Sequence, residues 1–127
     1  MAKKEFTYKG FSEEELKKMS PNEFAEIAPS RTRRTIKRGF TEAQKVVISA
    51  IEKGKTDIKT HCRDLIILPN MIDLTFRIHT GKEFRQVKIM PEMIGHFLGE
   101  FALTRKRIAH SSPGVGATKS SSSVSVK

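Results

Sequence analysis

The chain has 127 residues and carries 24 Lys and Arg against 14 Asp and Glu, a formal net charge of +10. That length fits one domain, and that charge favours polyanionic partners: RNA, DNA or an acidic membrane surface. One cysteine, Cys62, excludes an internal disulfide framework, and no apolar run approaches the roughly 20 residues of a membrane span.

The N-terminal MAKKEFTYKG lacks the apolar stretch of a signal peptide, so a cytoplasmic protein without a membrane partner is expected. Residues 1–40 read as a helical, increasingly basic extension. Ser12 with Glu15, and Ser20 with Glu23, have capping-box spacing, in which each side chain satisfies a backbone N–H that the first helical turn leaves free. Pro21 sits at a first helical position, where proline is tolerated, and Pro29 ends that short helix. Five of the eight residues from Arg31 to Arg38 are basic and none is acidic. Such a segment repels itself as an isolated helix, and a polyanion removes the penalty; a solvated basic face is the plainer alternative.

Residues 41–101 read as an α+β core. Thr41 is placed to cap a helix whose Ala43, Val46, Val47, Ala50 and Ile51 fall on one stripe, predicted to pack on a sheet. Gly54 is a C-terminal stop. Leu65 to Leu68 is a short continuous apolar run closed by Pro69-Asn70. Leu74, Phe76 and Ile78 alternate with polar residues, the period of a half-buried strand. Thr80-Gly81-Lys82 makes a turn into a second strand, with Arg85, Val87 and Ile89 on one face and Phe84, Gln86 and Lys88 on the other. The pair predicts an antiparallel hairpin. Pro91 then opens a short helical turn, with a tight exit between Gly95 and Gly99.

Residues 102–127 form a basic tail with no acid after Glu100. It cannot bury enough apolar surface to offset its chain entropy, so alone in water it is expected to be disordered. The foldable core is then about 60 residues and marginal, with two basic, weakly structured flanks ordered by a large polyanion.

Catalytic chemistry is not in view. His61 and Cys62 are neighbours that point to opposite faces of a strand, which disfavours a Cys–His pair. The four histidines lack close metal-ligand spacing, and the glycines match no phosphate loop. No cofactor or metal is expected. His96 is placed either to stack on a base or bond a phosphate, or to serve as a structural histidine. Eight Phe, one Tyr and no Trp are dispersed rather than clustered, which disfavours base stacking on a sheet. Recognition of backbone and shape by Arg and Lys is the better expectation. A groove-binding DNA reader is disfavoured, because the helix after Thr41 carries Glu42 and Glu52 beside its lysines.

The wording of several segments resembles one family. DLIILPNMI, HTGKEF and MPEMIGHFLGEFALTR resemble the universal small-subunit ribosomal protein family S-nineteen. EFTYKGFSEEELKKMSPNEF, KTHCRDLIILP and GVGATKSS resemble its archaeal and eukaryotic branch, where the protein is called S-fifteen. The resemblance implies an α+β fold: a small antiparallel or mixed sheet with packed helices and extended basic N- and C-terminal tails. It implies a non-enzymatic constituent of the small-subunit head that binds the 3′ major domain of the small-subunit ribosomal RNA. A protein of the S-thirteen family would be its neighbour. The tail would reach the decoding site and transfer RNA through the segment bearing His110, Gly114, Gly116, Lys119 and Lys127. Asn70 and Met71 match the family's first turn, His79 and Lys82 its hairpin tip, His96 its helix–sheet–RNA loop and Arg105 its basic exit. Asp73 stands where the family often has Gly, and Leu103 where bacterial members have Pro. Arg31, Arg33, Arg34, Lys37 and Arg38 are expected to bridge phosphates, joined by Arg63, Arg77, Arg85 and Lys88 from the sheet and by Arg105, Lys106 and Arg107 from the tail root.

Overall fold

Local signals set most of the helices. The computed structural model describes residues 3–109 together with Ser111 and Gly114. Among them are four α-helices and two small sheets, one antiparallel and one mixed, an α+β fold. Helix α1 (Glu13–Lys18) and helix α2 (Pro21–Ile27) each begin at a complete capping box, Ser12 with Glu15 and Ser20 with Glu23. In α1 the Ser12 N–H donates to Glu15 Oε2 at 2.8 Å. That bond, first, and the Ser12 hydroxyl, second, hold the Glu15 carboxyl below the usual carboxylate range. A depressed folded-state value means the cap contributes above the range where an unfolded Glu titrates, and fades as pH falls through the folded value. Glu15→Gln, whose amide still accepts from Ser12 but does not titrate, is therefore expected to be less stable than wild type at neutral pH and to converge with it in acid, read by urea denaturation at several pH values. A stability difference that stayed constant from neutral to acid pH would count against this role.

Ahead of α1 lies an element absent from the sequence-based expectation. Strands β1 (Thr7–Tyr8) and β2 (Phe11–Ser12) pair antiparallel across Lys9-Gly10. Both turn residues have positive φ, 51° and 87°, as the right-handed twist of a two-residue hairpin demands. The Tyr8 ring packs 5.8 Å from that of Phe24, and burial raises its phenol's pKa.

The N-terminal flank is not weakly structured. Leu16, Phe24, Ala25, Ala28 and Ile36 are buried in the same cluster as Leu65, Phe76, Ile78 and Leu98. Full burial of a residue such as Leu or Phe contributes about 1.5–3 kcal/mol, so these helices stabilise a core that residues 41–101 do not build alone. Helix α1 lies on the Pro69–Met71 turn, and α2 packs on α3 (Ser30–Lys37).

Helix α4 (Glu42–Glu52) starts at a Thr41–Gln44 capping box and stops at Gly54, past which the Lys55 N–H reaches back to the Ala50 carbonyl at 3.2 Å. Its buried face differs from the expected stripe. Gln44 and Val47 are buried with Ile51 packed beside them, while Ala43 is exposed and Val46 is 70% exposed. Gln44, whose Oε1 accepts from the Thr41 N–H at 3.0 Å, takes a place on the buried face, and Val46, about 200° round the helix from it, points outward.

The mixed sheet has the order β3-β4-β5: β3 (Asp57–Thr60) runs parallel to β4 (Thr75–His79), and β4 pairs antiparallel with β5 (Phe84–Lys88). The β4–β5 hairpin is as predicted. Strand β3 was not predicted, and the apolar run Leu65–Leu68 is not a strand of the sheet. It runs extended against residues 95–98: the Ile67 N–H donates to the His96 carbonyl at 2.8 Å and the Leu98 N–H to the Leu65 carbonyl at 2.9 Å. All four of its side chains are buried. The chain passes Arg63 so closely at Gly99 that a Cβ there would lie 3.0 Å from both the Arg63 carbonyl oxygen and its Cβ. The short turn opened by Pro91 is a 3-10 helix, Pro91–Met93. Asp73, with φ 68°, adopts the left-handed conformation that Gly takes most easily and Asp tolerates.

Candidate nucleic-acid interface

Helix α3 sorts its residues by direction. Thr32 and Ile36 face inward and are buried, and the Thr32 hydroxyl donates to the Gly95 carbonyl at 3.1 Å. Arg33 turns back on α2. Its Nε donates to the Ala25 carbonyl at 3.1 Å, and its Nη2 donates to those of Glu26 and Ala28 at 3.2 and 3.3 Å. A cation at these carbonyls complements the helix dipole, so Arg33 is a cap for α2 rather than an outward phosphate ligand. Lys37 pairs with Glu26 at 3.0 Å and holds that carboxyl below its usual range.

Arg31, Arg34 and Arg38 lie at i, i+3 and i+7 on the remaining face. They are exposed and, among the described residues, have neither an ion pair nor a side-chain hydrogen bond. With Thr35, Gly39, Thr41, Gln44, Asp64 and Phe97 they line a shallow groove of about 250 Å³. Three guanidiniums against one carboxylate make it cationic, and phosphate is the ligand that guanidinium forks fit bidentately.

The other expected phosphate ligands divide in the same way. Arg63 is a clamp: its Nη1 donates to the His79 carbonyl at 2.7 Å, and its Nη2 donates to those of Gly99 and Ala102 at 2.6 Å each. Met71 is 0% exposed, a core side chain rather than a contact of the first turn, whereas Asn70 beside it is exposed. Arg77 forms a two-pronged ion pair with Asp57 of the neighbouring strand, with Nε at 3.2 Å from Oδ1. Lys88 lies 3.9 Å from Asp73. Both pairs are exposed, and such pairs exchange readily for a stronger anion. His96 Nδ1 sits 2.8 Å from Glu100 Oε2, with its ring edge-on to Phe101. Lys82, Arg85, Arg105 and Arg107 are exposed. Lys106 reaches the β4–β5 turn, 2.8 Å from Glu83, and lowers that carboxyl's pKa. Of the tail residues, Gly114 is described and exposed; His110, Gly116, Lys119 and Lys127 lie outside the described residues.

Sequence reasoning missed one grouping. His61, His79 and Phe84 come together on the solvent side of the sheet, with Lys59 over the Phe84 ring. Only strand register joins them, so no local pattern announces it. Among the described residues no three His, Cys, Asp or Glu gather as metal ligands, and no helix is long and apolar enough to cross a membrane.

A small α+β scaffold that turns some arginines inward to hold its own carbonyls and exposes others along a cationic groove defines a structural polyanion-binding protein. The description "Ribosomal protein S19" is that of the family model matching residues 34–110. The chain is also 51% identical over 125 residues to the small ribosomal subunit protein uS19 of Methanocella arvoryzae, across 98% of this chain and 89% of that protein. The chain belongs to the ribosomal protein S19 family, in its archaeal-type form. It is a structural, non-enzymatic component of the small ribosomal subunit that serves translation and binds ribosomal RNA.

Proposed function

We propose that the protein sits in the head of the small subunit on the 3′ major domain of the ribosomal RNA, beside an S-thirteen family protein, in the cytoplasm. The observation that carries the contact mode is the row Arg31, Arg34 and Arg38, three guanidiniums along one groove with no partner among the described residues. Lys82, Arg85, Lys88 and Arg77 extend the contact along the sheet, and Arg105, Lys106 and Arg107 continue it at the tail root. The placement in the head rests on the family and on the resemblance of the Pro-Asn-Met-Ile and Gly-His-Phe-Leu-Gly-Glu-Phe segments. The tail, including His110, Gly114, Gly116, Lys119 and Lys127, reaches toward the decoding site and transfer RNA. Residues 1–40, 41–101 and 102–127 are on this reading a division of labour: a basic extension, an RNA-binding core and a tail.

Sedimentation tests the placement. Tagged protein is expected to travel with small subunits through a high-salt wash, and hydroxyl-radical cleavage from a probe on the chain is expected to fall in the 3′ major domain. Cleavage confined to another domain would overturn it. The tail root has its own test. Arg105→Ala and Arg107→Ala are each expected to weaken binding to small-subunit ribosomal RNA and to lower the slope of log K against log salt by roughly 0.7–0.9. An unchanged slope would remove these residues from the contact.

A further inference from the structure

The sheet has two faces of different character. Ile58, Phe76, Ile78 and Val87 point into the core. The outer face carries Lys59 of β3, Arg77 and His79 of β4, and Gln86 and Phe84 of β5, aligned by the pairings Lys59↔Arg77, Arg77↔Gln86 and His79↔Phe84. His61 follows Thr60, which is buried, so the alternation brings His61 to the outer side, where it is exposed.

Three rings therefore meet at one end of this face. His61 lies 4.5 Å from His79, with the planes tilted by 34°. Phe84 stands edge-on to both, at 5.1 Å from His61 and 4.9 Å from His79. The group is held in place. The Gly81 N–H donates to His79 Nδ1 at 3.1 Å, which sets Nε2 as the protonated nitrogen of the neutral ring. The His79 carbonyl is fixed by Arg63. Lys59 Nζ stands 4.2 Å from the Phe84 centroid, a cation–π contact that puts a positive charge beside the rings. Glu83, the acid of the adjoining turn, is engaged by Lys106.

An exposed His61 ring backed by the half-buried rings of His79 and Phe84 on a cationic sheet face suits a ligand with both a π-face and a negative charge. We propose that His61, backed by His79 and Phe84, is a stacking site for one unpaired base of single-stranded RNA, with Lys59 on the adjacent phosphate. The inference rests on the RNA-binding reading above and adds a mode of contact that the arginine groove does not provide. Duplex RNA keeps its bases stacked inside and offers none to the rings; a loop or bulge offers one.

Two probes test it on the full chain: a short single-stranded RNA carrying 2-aminopurine, and an RNA duplex of the same length. His61→Ala is expected to weaken single-strand binding by about 5- to 100-fold and to abolish quenching of the 2-aminopurine. Duplex affinity and the salt slope should stay unchanged, because no phosphate contact is lost. His61→Phe, which keeps a ring, should restore both affinity and quenching. His61 is exposed, so an unchanged thermal midpoint confirms that the fold is intact. Equal losses on both probes, or none on either, would overturn the platform; the second result is also expected if the rings instead receive a side chain of a neighbouring protein. Wild-type protein that still binds small-subunit ribosomal RNA while the variants behave like it sinks the platform alone. Wild-type protein that binds no RNA sinks the RNA-binding reading with it.

Discussion

Arg63→Met is expected to lower the unfolding free energy by about 3–5 kcal/mol, a large share of what a small domain has. The side chain is half-buried, and its guanidinium serves three carbonyls from three places: His79 at the end of β4, Gly99 in the close crossing and Ala102 where the tail leaves the core. Methionine fills a similar volume but donates nothing, so three carbonyls facing the protein lose a charged donor together. Each such loss costs about 1–3 kcal/mol, less where water can enter. Lysine should rescue only in part, because one ammonium cannot reproduce a planar fork spanning three acceptors. Urea denaturation measures the effect. A midpoint within error of wild type would mean that solvent already serves those carbonyls. The same variant separates clamp from phosphate ligand: under conditions where it remains folded, its RNA salt slope should equal that of wild type.

Much of the local structure was legible, and the reason is range. Ser12–Glu15, Ser20–Glu23 and Thr41–Gln44 are interactions over three residues, written where they act. The β4–β5 hairpin was legible for the same reason, from alternation on either side of a glycine turn. The misses depend on partners distant in the chain. Strand β3 has four residues, and only β4, fifteen residues further on, gives it a ladder. Leu65–Leu68 reads only as an apolar run, because its backbone partners lie at residues 95–98. The stripe on α4 counted apolar residues and overlooked that Gln44 caps the helix and is buried with it.

The candidate site shows the same limit more sharply. A sequence states that a residue is cationic but not what it faces. Arg31, Arg33 and Arg34 read alike in SRTRRTIK, yet a helix separates their directions by about 100° per residue. Arg33 thereby meets the carbonyl end of α2 while its neighbours meet solvent. Arg63 likewise read as a phosphate ligand, and its three acceptors lie 16, 36 and 39 residues away. The family resemblance supplied the class of ligand; the structure divides the arginines between the fold and the ligand.

That division makes the largest functional effect opposite in sign to its effect on the fold. The triple variant Arg31→Ala, Arg34→Ala, Arg38→Ala is expected to lower the slope of log K for small-subunit ribosomal RNA against log salt by about 2–3 units. Between 50 and 200 mM salt that corresponds to a loss of affinity roughly 16- to 64-fold smaller than in wild type, because three fewer counterions are released. The free protein should meanwhile become slightly more stable. Arg31–Arg34 and Arg34–Arg38 are like-charged pairs at i, i+3 and i, i+4, each unfavourable by about 0.2–0.5 kcal/mol, and alanine is the better helix former. The triple lysine variant, which keeps charge but not the fork, should keep the slope while losing affinity. Salt titrations of the three proteins, run beside their thermal midpoints, read both quantities. A triple alanine variant that bound RNA with wild-type slope would place the phosphates elsewhere on the protein. One that unfolded at lower temperature would show these arginines holding the helix rather than straining it, and the groove would lose its claim to be the interface.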